Sequence, residues 1–362
     1  MFKQYKLKNY KFILIALVVI LNTIGVALVG SASPGDQKKQ IIGMVSGIII
    51  MLLVSYIDYN FILRFSWLIY LGAIGLLGLV IVAGEQSKGA QRWFKIGGFQ
   101  FQPSELVKIL MILFLAYYFM RHEEKINSPR VLFGSFVLIG IPLALILAQP
   151  NLSTTIVLAL VFAAMLFAAG LGYKIVVGVL AVCVPTFFIV LTLIIQDKFP
   201  FIHSYQLGRI MGWLYPDKYP DIASIMAIGS GLLWGKGLGN TDPTSVKNGK
   251  FILEPQNDFI FAVAGEEMGF VGTVTIIILL LFITIECIFI ARKAKDAAGR
   301  LICCGMAALI GFQSIVNICV ATGLLPNTGV TLPFVSYGLT SLWSLYIGIG
   351  LVLNVGLQPK KY

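Results

Sequence analysis

Apolar residues in this chain come in long unbroken runs, not in the alternation of a half-buried strand or the one-sided stripe of a soluble helix. Ten runs stand out, at residues 12–29, 41–57, 61–83, 104–120, 131–148, 152–169, 175–195, 259–290, 301–323 and 339–357. Each is close to, or longer than, the roughly 20 residues a helix needs to cross about 30 Å of hydrocarbon. The pattern predicts an all-α integral membrane protein, a single polytopic domain over residues 1–362 with about ten transmembrane helices. One large connection, residues 196–257, separates spans seven and eight. No repeat of fixed period and no low-complexity tract interrupts the pattern.

Composition agrees: 58% of residues are apolar and 12% charged, against roughly 25% charged in a soluble domain. The net charge of +11 is assigned to membrane orientation, not to nucleic acid, because a basic excess gathers in cytoplasmic loops. With both termini inside, fifteen Lys and Arg lie on the inner segments and five on the short outer ones. The six in residues 196–257 count little in so long a loop. The charges therefore predict cytoplasmic termini in an inner membrane, with residues 84–103 and 196–257 outside. The Lys-rich start, the run 12–29 and Gly30–Ser33 resemble a signal peptide. At 18 residues, however, the run exceeds the usual core of about 7–15, so it is expected to stay as the first span. The five cysteines sit in apolar runs without a CxxC pair, and only His122 and His203 occur; a disulfide framework or a histidine-rich metal site is not expected.

Ionisable residues in or beside spans are costly and mark candidate chemistry. Gln91-Arg92-Trp93 leads to Gln102-Pro103-Ser104-Glu105 and Lys108. Pro103 suits the first position of a helix, Glu105 its first turn, and Glu105 and Lys108 share a face; a purely structural ion pair explains them equally well. Gln256-Asn257-Asp258 stands where the long outer segment re-enters the membrane, so Asp258 is either a base at the interface or a helix cap. Glu266 and Glu267 lie deeper and require polar partners. Tyr205–Arg209, with Gln206, and Ala227–Gly237, with Lys236, combine glycines with the cations Arg209 and Lys236, which suit an anionic head group. The second stretch fails as a phosphate-binding P-loop, since Ser230 and Gly237 stand where Gly and Ser or Thr are needed. The aromatics Trp213, Tyr215, Tyr219 and Trp234 place this segment on or in the outer leaflet. Leu325–Gly338, with two prolines, two glycines and Ser336, is expected to be irregular, whether a loop dipping toward a cavity or a rigid turn.

Together these groups resemble the SEDS family, the RodA, FtsW and SpoVE proteins, along the whole chain. The most specific parts are Gln-Arg-Trp with Gln-Pro-Ser-Glu-x-x-Lys, Asp-Phe-Ile-Phe-Ala-Val from Asp258, and Pro-Asn-Thr-Gly to Ser-Tyr-Gly. The short N-terminus leans toward the RodA type. Two departures appear: Gln149-Pro150-Asn151-Leu152-Ser153-Thr154 stands where the family commonly has Gln-Pro-Asp-Leu-Gly-Thr, and Gly338-Leu339 where it has a double glycine.

The resemblance implies a peptidoglycan glycosyltransferase that polymerises lipid II outside the membrane beside a class B penicillin-binding protein, with Asp258 as the essential acid. The substrate-binding set carried over is Arg92, Gln102, Ser104, Glu105, Lys108, Gln206, Arg209, Lys236, Gln256 and Ser336. In that scheme Asp258 removes the acceptor proton, Arg92, Lys108, Arg209 and Lys236 stabilise the departing pyrophosphate, and Glu105 holds Lys108. A divalent ion, Mg or Mn, bridging Asp258 and the pyrophosphate is compatible with this chemistry; no dedicated metal site is evident and no metal ligand is named. The alternatives are a lipid II flippase and a scaffold of the cell-wall complex.

Overall fold

The computed structural model describes residues 10–87, 90–96, 99–196, 211–214, 220–241, 245, 249, 251–252 and 254–358. The apolar runs become helices: α1 (Phe12–Ala32), α2 (Pro34–Ser55), the short α3 (Tyr59–Leu63), α4 (Ser66–Ala83), α5 (Pro103–Arg121), α6 (Pro129–Ala148), α7 (Leu152–Ala168) and α8 (Tyr173–Ile195). They continue with α9 (Pro220–Ser230), α10 (Ile260–Arg292), α11 (Ala297–Ala321) and α12 (Leu339–Leu357). Among the described residues eight helices are long and apolar enough to cross a membrane, and α7 is a shorter apolar helix. The starts follow local chemistry. Proline fills the first turn of α2, α5 and α6, where its missing N–H costs nothing. Asp58, Asn151 and Asp296 cap α3, α7 and α11 by accepting from the N–H of Asn60, Thr154 and Gly299.

Three helices, α5, α11 and α12, form the centre and are buried on most sides. Around them α2, α4, α6 and α10 turn one side outward, with Leu53, Leu68, Leu71, Phe133, Phe136 and Phe282 exposed, as suits a lipid-facing surface. Where helices approach closely, small residues make room. Gly43 and Gly47 on α2 receive Leu339 and Tyr346 of α12, and Gly350 of α12 abuts the Met51 carbonyl.

Two features go beyond the hydrophobic pattern. The polar connection after α4 folds into an antiparallel sheet of β1 (Glu85–Ser87), β2 (Ala90–Ile96) and β3 (Phe99–Phe101), in the order β1-β2-β3. Glu85 pairs with Trp93 and Phe94 with Phe101. The long segment 196–257 also holds α9, which packs against α10, so part of it belongs to the bundle. Trp213 donates its indole N–H to the Gly323 carbonyl at 2.9 Å, and Trp234 is 78% exposed.

A side chain at Gly47 would meet the Tyr346 ring, since a Cβ there lies 2.2 Å from it. Gly47→Leu is therefore expected to cost about 1–3 kcal/mol by overpacking. A thermal melt in detergent checks this; an unchanged midpoint would show that α2 and α12 can separate freely.

Candidate functional site

The starts of α5, α10 and α12, the last turns of α11 and the loop 322–338 meet at one end of the bundle. Gln102 donates its backbone N–H to Thr340 Oγ1 at 3.2 Å, which seats the start of α5 against the start of α12. One turn into α5, Lys108 bonds Glu105 at 2.9 Å. Lys108 is 3% exposed and Glu105 8%, so the ammonium and carboxylate answer each other where neither could stand alone. Lys108 Nζ also donates to Gln313 Oε1 at 3.2 Å. The ammonium thus sits between both Glu105 carboxylate oxygens and the Gln313 amide oxygen. Ser104, beside them, is buried with no hydrogen-bond partner for its hydroxyl.

Asp258 lies in the turn before α10 and is half-buried. The N-cap position belongs to Phe259, which makes no side-chain cap bond, so Asp258 does not occupy the cap position that the alternative reading gave it. The turn is held from two sides. Asn317 Nδ2 donates to the Asp258 carbonyl at 2.8 Å and to Val330 O at 2.6 Å, and the Tyr337 N–H donates to the Gln256 carbonyl at 2.9 Å. Within the turn, Asn257 Nδ2 donates to Glu254 Oε2 at 2.9 Å. The loop 322–338 is irregular as expected, with Gly329, Phe334 and Gly338 at positive φ. Ser336 is buried, and its hydroxyl accepts from the Leu332 N–H at 2.7 Å; it shapes the loop and does not face outward. The Tyr337 hydroxyl faces Asp36 at the start of α2. Burial first, and then the Asp36 carboxylate, push its pKa up to about 12. It therefore stays a donor at neutral pH, and the stability it adds is full below about pH 10 and lost as pH rises toward 12.

Behind Asp258, α10 is broken. Gly269 has φ 64° and ψ −161°, a conformation open to glycine. A break within the membrane frees backbone groups that lipid cannot satisfy. Here residues 231–237 take them up. Lys236 and Gly237 N–H donate to the carbonyls of Glu266 and Glu267 at 2.9 and 3.0 Å, and the N–H of Phe270 and Val271 donate to Leu232 and Leu233 at 2.8 and 3.2 Å. Such proximity needs bare backbone on both sides: a Cβ on Gly231 would lie 1.9 Å from Gly265 O, and one on Gly235 2.2 Å from Glu267 O. The deep acids are paired as the sequence required. Glu266 bonds Lys236 at 2.8 Å, and Glu267 Oε1 accepts from Ser31 of α1 at 2.5 Å.

The expected cations thus divide. Lys108 stands in the cluster with Gln313 and the loop. Lys236 is committed to Glu266 and acts as a clamp on the broken helix. Arg92 on β2 donates to the carbonyls of Gln149 and Pro150, pinning the sheet to the turn between α6 and α7. Gln206 and Arg209 lie outside the described residues. Sequence reasoning overlooked Gln313 and Asn317; the available signal was two amides four residues apart inside an apolar span, which carry no charge but cost nearly as much in lipid. Among the described residues no group of three or more His, Cys, Asp or Glu gathers.

Lys236→Met should remove an ion-pair partner of the buried Glu266. A fully buried pair costs about 3–5 kcal/mol to break, and Lys236 is 29% exposed, so a loss on the order of 1–3 kcal/mol is expected. The double variant Lys236→Met/Glu266→Gln should regain most of it in a detergent melt; equal losses in both would refute the pairing.

Comparison with known proteins places this architecture. The Cell cycle protein family model, covering FtsW, RodA and SpoVE, matches residues 6–361. A probable peptidoglycan glycosyltransferase FtsW of Geobacter sp. (strain M18) is 34% identical over 98% of this chain and 99% of its own length. The FtsW of Bacillus subtilis (strain 168), of the same description, is 31% identical over 98% of this chain and 92% of its own. The solved RodA of Thermus thermophilus, 28% identical, superposes with a TM-score of 0.70 over 96% of each chain. A chain from a structure described as coordinating polymerization and crosslinking in a peptidoglycan synthase complex, also 28% identical, reaches 0.78 over 96% of this chain and 97% of its own. These curated relatives carry the name FtsW, so the lean toward the RodA type finds no support in them. With a family model spanning nearly its whole length and relatives above 30% identity from end to end, the chain belongs to the FtsW/RodA/SpoVE family.

Proposed function

We propose that the chain is a peptidoglycan glycosyltransferase that polymerises lipid II, with Asp258 as its base. The observation that carries this reading is the placement of a half-buried Asp258 in a turn tied by Asn317 and Tyr337 to the loop that Gln313, the partner of Lys108, also holds. The family and the names of its relatives point to the same activity. In the proposed step the acceptor C4 oxygen attacks the anomeric carbon of the donor. Its proton passes to the Asp258 carboxylate, and the bond to the polyprenyl pyrophosphate breaks with its electron pair leaving on phosphate. Lys108 is the cation assigned to that leaving charge. Arg92 and Lys236 also hold the scaffold and are kept as candidates for the same charge. Arg209 and Gln206 are kept as candidates for the pyrophosphate, and Gln102, Ser104 and Gln256 as wall residues of the site.

A divalent ion would fit as Mg commonly does, on one carboxylate and substrate phosphates. Asp258 would hold it, and it would add charge beside the pyrophosphate. Glu105 is already engaged by Lys108. The site end of the bundle is assigned to the outer face by the distribution of Lys and Arg, with both termini cytoplasmic in a bacterial inner membrane. A class B penicillin-binding protein is the proposed partner, in keeping with the synthase complex whose membrane chain this one resembles.

Purified protein in liposomes with lipid II is expected to yield glycan strands. Asp258→Ala and Asp258→Asn should lower the rate by on the order of 10²–10⁴-fold without changing the melting midpoint. Strands that persist in these variants would eliminate Asp258 as base, and lipid II crossing the bilayer without strands would favour a flippase.

A further inference from the structure

Two amides interrupt the apolar face that α11 turns to the site. Gln313 and Asn317 stand one helical turn apart, each 1% exposed, and residues at that spacing share a face. Gln313 Oε1 accepts from Lys108 Nζ at 3.2 Å, while its Nε2 donates to Thr331 O and Thr331 Oγ1, both at 3.0 Å. Asn317 Nδ2 donates to the carbonyls of Asp258 and Val330. One face of one helix therefore joins the Lys108 group and the Asp258 turn to two consecutive residues of the same loop. Thr331 is tied onward to Ser341 on α12 at 3.2 Å.

The amide of Asn317 points one way only, because both of its acceptors are carbonyls. Its Oδ1 is left buried with no hydrogen-bond partner, a cost an apolar residue of similar size would avoid. Only its donors explain why an amide stands there.

We infer that Gln313 and Asn317 are positioning residues for the polymerisation step. Gln313 fixes the direction of the Lys108 ammonium, and Asn317 fixes the turn that carries Asp258, both against the common reference of Val330 and Thr331. The inference rests on the polymerase reading above. Neither amide contacts substrate in it, so each acts through its partner, and the loss of either should appear in turnover and not in substrate capture.

The test uses the full chain with lipid II in liposomes, and initial rates. Gln313→Met and Asn317→Leu, close in size and without donors, are expected to lower kcat about 10–100-fold with KM within about 2-fold. In a Lys108→Arg background, which keeps the charge, Gln313→Met should cost much less than in the wild type, because the contact it removes is already disturbed. Gln313→Asn, which keeps an amide but withdraws it from Lys108, serves if the methionine variant does not fold, and should show the same split. Equal fractional losses in both backgrounds, or kcat within about 2-fold of wild type, would overturn the inference and leave the amides as bundle packing. If wild-type protein makes strands that Asp258→Ala abolishes while the amide variants behave as wild type, this inference alone falls; if the wild type makes none, the polymerase reading falls with it.

Discussion

Backbone groups have no water to turn to inside a bilayer, and the break in α10 is where this protein meets that constraint most directly. A helix of 33 residues is about 50 Å long at 1.5 Å per residue, well beyond one span. The chain does not carry it through as one rod. At Gly269 the helix turns aside, and the segment 231–237 supplies donors to one stump and acceptors to the other. The part from Ile260 to Met268 thereby becomes a short, separately braced piece, preceded by the turn that carries Asp258. Glycines at 231, 235, 265 and 269 let two backbones touch, and Lys236 with Glu266 adds a charged clasp where the chain turns away.

From that brace outward, polar contacts run in one direction, toward the loop 322–338. Ser31 of α1 grips Glu267 behind the break, Tyr337 grips the Gln256 carbonyl ahead of it, and Asn317 grips the Asp258 carbonyl from below. The loop itself is seated on α1 and α2 through Asn22 to Phe334 O at 2.9 Å and Gln40 to Ser336 O at 3.2 Å. Four helices, α1, α2, α11 and α12, thus fix one irregular loop, and the loop meets the Asp258 turn directly and Lys108 through Gln313. At the other end of the bundle the polar contacts are of a different kind. Tyr59 bonds Asp296, and Asn354 bonds the Tyr59 N–H and the Ser55 carbonyl. They tie α2, α3, α11 and α12 together.

Much of this was legible from the chain. Unbroken apolar runs are set by the bilayer itself, so the long helices followed from the sequence, and the Glu105–Lys108 pair followed from a three-residue spacing. The break at Gly269 did not, because run 259–290 is apolar on both sides of it and hydropathy is blind to a change of backbone direction; its excess length was the clue. The sheet between α4 and α5 escaped because strands of three to seven residues show too little alternation to stand out from a polar loop. Gln313 and Asn317 escaped because charge was the filter, and an amide can organise a buried site without any.

The departures from the family pattern bear on which groups the chemistry needs. Asn151 stands where relatives of this kind commonly have aspartate, and here its Oδ1 accepts from the Thr154 N–H at 3.3 Å to cap α7. Asn and Asp cap helices about equally well, so that duty needs no negative charge. The neighbouring carbonyls of Gln149 and Pro150 receive Arg92, and a carbonyl serves there whatever side chain follows. Leu339, in place of a second glycine, opens α12 with its side chain against Gly43 of α2, a packing contact made away from the Asp258 turn. Both substitutions fall where structure, not charge, is at stake, whereas the contacts around Asp258, Lys108, Gln313 and Asn317 each depend on a particular donor or acceptor. An acid whose role a neutral amide can fill is a cap, and Asp258 stands outside the cap position of α10, which belongs to Phe259.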